Sequence, residues 1–160
     1  MREMSMTGDP GRPLPQFFVR WRAGWGDSAA GWTPTDYLNQ DTAVGPAIAA
    51  GWLFNPPTVR YRGGLFLADR FSAPAVDEWF ERYPDESARI EAVVNAVTFF
   101  DLFVNCDIDP YADALPGLAA DVAACWRGVL PARHPDLTVT VEVGDAYGPS
   151  VTFWTQPHDL

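Results

Sequence analysis

The chain has 160 residues, 48% of them apolar, and a formal net charge of −10. That length supplies one hydrophobic core and is too short for two ordinary domains. The apolar content excludes a disordered chain, and the acidic balance argues against a nucleic acid bound through its phosphates.

All 11 basic residues are arginine. With no lysine there is no amine for a Schiff base, no phosphate-cradling G-x-x-x-x-G-K-[ST] loop and no kinase-type nucleotide lysine. No cofactor is expected. The 2 cysteines, Cys106 and Cys125, form no C-x-x-C pair, and the reading is a cytoplasmic protein with reduced thiols. Residues 1–15 read as a flexible tail with no secretory core, and residues 16–160 as a single globular domain. The longest uncharged apolar run, Ala43 to Phe54, contains Gly45, Pro46 and Gly51. It is too short to span a bilayer, so no membrane association is expected.

Gln16 to Arg22 alternates, with Phe17, Val19 and Trp21 on one side, and reads as a first strand. Gly24 to Thr35 reads as a loop. Asp36 to Leu53 permits short helices interrupted at Pro46. Val59 to Leu67 reads as a hairpin turning at Gly63-Gly64, where both turn positions need positive φ. Ser72 is placed to cap a helix whose apolar face is Val76, Trp79, Phe80 and Tyr83, ended by Pro84. Asp85 to Glu91 reads as a further short helix. Ala92 to Val104 fits either periodicity, and we read a short helix followed by a strand. Asp113 to Leu130 carries the strongest helical stripe, including Leu115, Leu118, Val122, Cys125, Trp126 and Val129, and is stopped by Pro131. Leu137 to Val143 alternates strictly and pairs with Ser150 to Thr155 across a Gly-rich turn. This order predicts an α+β fold, a mainly antiparallel sheet with two or three helices packed on one face.

Five groups of residues are candidates for function. Asp107, Asp109 and Asp113, with Asp101 and Asn105 nearby, offer oxygen ligands for a divalent metal. A calcium loop starting at Asn105 fails at Pro110 and Pro116, and the plainer reading is a polar loop before a helix. Cys106, Cys125, His134 and His158 are zinc-ligand types without zinc-ligand spacing. Nucleophilic catalysis finds no G-x-S-x-G elbow and has two late histidines to draw on. The aromatic N-terminal half, above all the loop residues Trp25 and Trp32 beside Arg20 and Arg22, could line a ligand cavity or anchor an interface, where the ordinary reading is core. Asp145 and Tyr147 sit at a hairpin tip, as a partner contact or simply as turn chemistry.

Charge is uneven. Residues 63–160 hold 16 of the 21 acids. We therefore expect a small non-catalytic interaction module that neutralises or regulates a basic protein partner. The alternative is a small-molecule-binding protein or small enzyme with an aromatic pocket and an Asp-rich, metal-dependent site. A histidine gathered with carboxylates at an open cleft would speak for catalysis.

Overall fold

Residues 13–40 and 43–157 are described by the computed structural model. Of the expected tail, only Pro13 to Pro15 fall among them. The fold is α+β, as expected, but its strands form two small antiparallel sheets and not one. The first is the hairpin β1 (Thr58–Tyr61) and β2 (Gly64–Leu67). The second has the order β3-β5-β4, from β3 (Val97–Thr98), β4 (Leu137–Gly144) and β5 (Ser150–Pro157). The helices are α1 (Gln16–Ala23), α2 (Pro34–Tyr37), α3 (Val44–Phe54), α4 (Ala73–Arg82), α5 (Ser87–Val94), α6 (Phe99–Leu102) and α7 (Leu115–Arg133).

The main core lies where α7 crosses β4 and β5. Ala119, Val122, Ala123, Trp126 and Leu130 of α7 meet Leu65 and Leu67 of β2, Val141 of β4, and Val151 and Phe153 of β5. Trp126 and Phe153 pack edge to face at 5.6 Å. Each large side chain buried here stabilises the fold by about 1.5–3 kcal/mol before entropy is counted. Phe66, Val76 and Ile90 form a smaller cluster under α4 and α5.

Several expectations change. Gln16–Ala23 is helix α1 and not a strand. Phe17, Phe18 and Trp21 fall at i, i+1 and i+4, on one side of a helix, while Phe17, Val19 and Trp21 fit alternation equally well. Asp113 Oδ2 accepts the Gln16 N–H at 3.1 Å, placing a carboxylate at the positive end of the helix. Pro46 lies in the first turn of α3, where the missing N–H costs nothing. The first hairpin turns at Arg62 (φ 49°) and Gly63 (φ 81°), so Gly64 is already paired with Tyr61 in β2. Ser72 precedes α4 but makes no side-chain cap. The strand expected in Ala92 to Val104 is only the two residues of β3, after which Phe99–Leu102 turns back into helix. Pro131 sits inside the last turn of α7 and does not stop it. It removes one N–H, while the His134 N–H still bonds Leu130 O at 2.9 Å. Cys125 is exposed and lies off the buried face of α7.

Helix α5 joins the two sheets through polar side chains. Glu91, 1% exposed, accepts the Leu65 N–H (3.1 Å) from β2, and the Thr155 N–H (3.1 Å) and Thr155 hydroxyl (2.8 Å) from β5. One turn on, the buried Asn95 accepts the Leu67 N–H at 2.8 Å. Its amide donates to Leu65 O at 2.9 Å and Phe153 O at 3.2 Å. Along α5 the partners advance from Leu65 to Leu67 on one side and retreat from Thr155 to Phe153 on the other. The two strand edges therefore run antiparallel with the helix side chains between them, supplying the bonds that a direct ladder would have made.

Candidate functional site

The most unusual surface is α3, whose sequence VGPAIAAGWLF contains no polar side chain and whose residues are none of them fully buried. A helix apolar on every side is normally enclosed by protein or lipid. Its inner side is fixed by Leu53 and Phe54, which pack on the main core, and by Trp126, whose indole N–H donates to Leu53 O at 2.8 Å. Anchoring at 53 and 54 turns the i, i+4, i+8 stripe outward. Val44, Ile48 and Trp52 are 63%, 67% and 68% exposed. Leu38, just before α3, is exposed as well.

Ile48 and Trp52 form one wall of an open groove of about 650 Å³. Asn55, Thr58, Arg133 and His134 form the polar side. Arg133, at the end of α7, donates to Pro56 O at 2.6 Å and to Asn55 Oδ1, which ties α7 to the loop after α3.

Beside this groove a histidine, a hydroxyl and a carboxylate do meet. The Thr58 hydroxyl is 2.9 Å from His134 Nε2. Arg60 reaches His134 Nδ1 at 3.1 Å through Nη2 and clasps Asp136 through two bonds of 2.7 and 2.6 Å. Thr–His–Asp would suggest a catalytic triad, but the order of partners forbids it. A guanidinium can only donate, so Nδ1 is an acceptor and the ring proton sits on Nε2. Nε2–H then donates to Thr58 Oγ1 and has no lone pair to take the hydroxyl proton. A working base needs the opposite tautomer, held by a carboxylate on Nδ1. Here Arg60 stands between the histidine and the aspartate. Desolvation, followed by the charges of Arg60 and Arg133, holds the His134 pKa below its ordinary value, favouring the neutral ring. The Arg60 bonds hold Asp136 ionised, with a pKa lowered to about 2. The cluster is a brace between β1 and the α7–β4 turn. Nothing in the sequence spacing signals it, since Thr58 and Arg60 are 76 and 74 residues from His134.

The aromatic N-terminal residues pack largely on one another. Trp21 is the hub, in ring contact with Phe18, Trp25, Trp32 and Tyr37. Trp25 is exposed on its outer side, and Trp32 is half-buried against it at 5.4 Å. Arg20 donates to Pro110 O at 2.9 Å, while Arg22 donates to Trp32 O at 3.2 Å and lies over the Phe18 ring. Both arginines thus hold the fold of this region. Trp21 and Tyr37 also line an open cleft against Ala43, Pro46, Ala47 and Ala50 of the α3 region, of about 560 Å³.

At the second hairpin tip Tyr147 is 88% exposed. The tip itself is docked, since Phe99 N–H donates to Pro149 O at 2.9 Å and a Cβ at Gly148 (φ 94°) would collide with the Phe100 ring. Asp145 O closes the turn by accepting the Gly148 N–H at 3.1 Å. Among the described residues, no group of three or more His, Cys, Asp or Glu is gathered to hold a metal ion. Asp107, Asp109 and Asp113 lie on one loop and 3-10 turn, with Asp113 directed to α1. Cys106, Cys125 and His134 do not converge, and His158 lies outside the described residues.

No described helix is long and apolar enough to cross a membrane. The class that these features define is a small α+β protein with an uncovered apolar helix. Comparisons with protein-family models, curated proteins and solved structures find no match.

Proposed function

We propose that this protein is a non-catalytic protein-interaction module and that its contact face is the outward stripe of α3 with the groove beside it. The observation that carries this reading is the exposure of Val44, Ile48 and Trp52 on a helix lacking any polar side chain. Contiguous exposed apolar surface rimmed by polar residues marks interaction sites, and tryptophan and arginine are the residue types that dominate binding energy at interface centres. Trp52 and Arg133 both line this groove. The tautomer imposed on His134 speaks against general-base chemistry at the place where, among the described residues, histidine, hydroxyl and carboxylate approach each other.

This reading places recognition on apolar contact more than on the acidic charge. The described acids of residues 63–160 are distributed over α4, α5, the 101–113 turns, α7, β4 and the loops on either side of β4. Three of them are paired with arginines of this part or of the first hairpin, as Arg89–Glu86, Arg62–Asp77 and Arg60–Asp136, each at 2.6 Å. The core contact with the partner is apolar, and the test is the salt dependence of capture. The immobilised full chain, and the same chain carrying Ile48→Ser and Trp52→Ser, are exposed to an extract of the source cells at low and high salt. The reading requires a protein retained at both salt concentrations and lost with the double variant. Retention by the double variant, or release by salt alone, contradicts it.

A further inference from the structure

On another part of the surface, the aromatic N-terminal helix and the Asp-rich turn meet to form a cleft of about 450 Å³. Phe17 comes from α1, Phe103, Ile108 and Tyr111 from the segment after α6, and Leu118 from α7. Phe17 and Tyr111 are in ring contact at 5.0 Å, so the aromatic wall is built and held in place. A mostly apolar cavity of this volume suits a small organic molecule.

Its charge selects the kind of molecule. Asp107 lines the cleft at its exposed rim, and no arginine among the described residues lines it. The sequence from residue 90 to residue 126 contains six acids and no basic residue. Aromatic faces attract cations through their negative π-clouds, and a carboxylate at the rim adds an ionic hydrogen bond. An anion would be repelled, and a neutral molecule would gain only the apolar contact. We propose that this cleft is a binding site for a small organic ammonium compound, its apolar body against Phe17, Phe103 and Leu118 and its charged nitrogen at Asp107. The proposal is independent of the α3 contact face.

The test compares 2-phenylethylamine with its neutral and anionic counterparts, 2-phenylethanol and 3-phenylpropionate, by calorimetric or NMR titration of the full chain. The amine is expected to bind about tenfold more tightly than the alcohol, the worth of one charge-assisted hydrogen bond at a partly shielded site, and the carboxylate more weakly than either. Asp107→Asn should erase the preference for the amine and leave the alcohol affinity unchanged, which also shows that the variant is folded. Cys106 lines the same cleft and reports location. In a Cys125→Ala chain, the amine should slow alkylation of Cys106 by a neutral maleimide. The proposal is overturned if the three compounds bind alike, if none binds at millimolar concentration, if the amine preference survives Asp107→Asn, or if Cys106 is not protected.

Discussion

Glu91 and Thr155 are joined by two hydrogen bonds to a single carboxylate oxygen, one from the Thr155 backbone and one from its hydroxyl, 64 residues apart in the chain. The same oxygen accepts the Leu65 N–H, so one side chain of α5 closes both sheet edges. Among the described residues no arginine pairs with it. Burial pushes the Glu91 pKa up, against the hydrogen bonds that favour the charged form.

The sign of the pH dependence follows from that shift. A carboxyl with a raised folded pKa holds its proton more tightly folded than unfolded. Its contribution is fully present below the ordinary glutamate pKa and is lost as pH rises through the raised value. Glu91→Gln keeps a carbonyl oxygen for the three donors and turns its amide toward Ser87 Oγ. Urea unfolding from pH 4 to pH 8 should show this fall in the wild type and its absence in Glu91→Gln. Glu91→Leu, which orphans two buried N–H groups, should cost about 3 kcal/mol.

Asn95 should be as sensitive, for a different reason. It both accepts and donates, so Asn95→Asp cannot serve Leu65 O and Phe153 O, and it adds a buried charge. We expect a loss of about 3–5 kcal/mol, read by denaturant midpoint, and a strong coupling with Glu91→Gln in a double-mutant cycle.

The stripe on α3 should be nearly neutral for stability. Ile48→Ser and Trp52→Ser remove exposed side chains and are expected to change unfolding free energy by only about 0.5 kcal/mol. Trp126→Phe, by contrast, leaves Leu53 O without its indole donor and opens space in the core, at about 2–4 kcal/mol. Thermal melts of the three variants separate a surface role from a packing role.

The brace at His134 has its own titration. A histidine whose folded pKa is lowered contributes stability above its ordinary pKa, and that contribution is lost as pH falls through the lowered value. Arg60→Met should let the Asp136 pKa rise from about 2 toward the usual carboxylate range, as followed by NMR titration of the carboxyl carbon.

Much of the fold was legible wherever one periodicity excluded the other. Leu137 to Val143 could only be a half-buried strand, and its register with β5 runs unbroken from Leu137–Pro157 to Gly144–Ser150. The α7 stripe is equally plain, although spacing alone puts the exposed Cys125 inside it. Gln16 to Arg22 was not legible, because a run of aromatic residues satisfies both templates and the deciding bond comes from Asp113, 97 residues away. Partition into two sheets was hidden too, since the side chains that replace the missing ladder, Glu91 and Asn95, look like ordinary polar positions of a helix.

The candidate site was half visible. Ala43 to Phe54 stood out as the longest uncharged run, but apolarity suggests burial, and only the anchoring of Leu53 and Phe54 turns Val44, Ile48 and Trp52 outward. The aromatic and Asp-rich segments were both marked in the sequence. Their meeting at Phe17 and Tyr111 required the fold.

The contact face can be examined most directly by placing a photoreactive residue at Ile48 and, in a second chain, at the still more open Tyr147. Irradiation in extract of the source cells should join a specific protein to position 48 and not to position 147, at low and high salt alike. Equal labelling from both positions, or none from position 48, would contradict the assignment of α3 as the surface this protein uses.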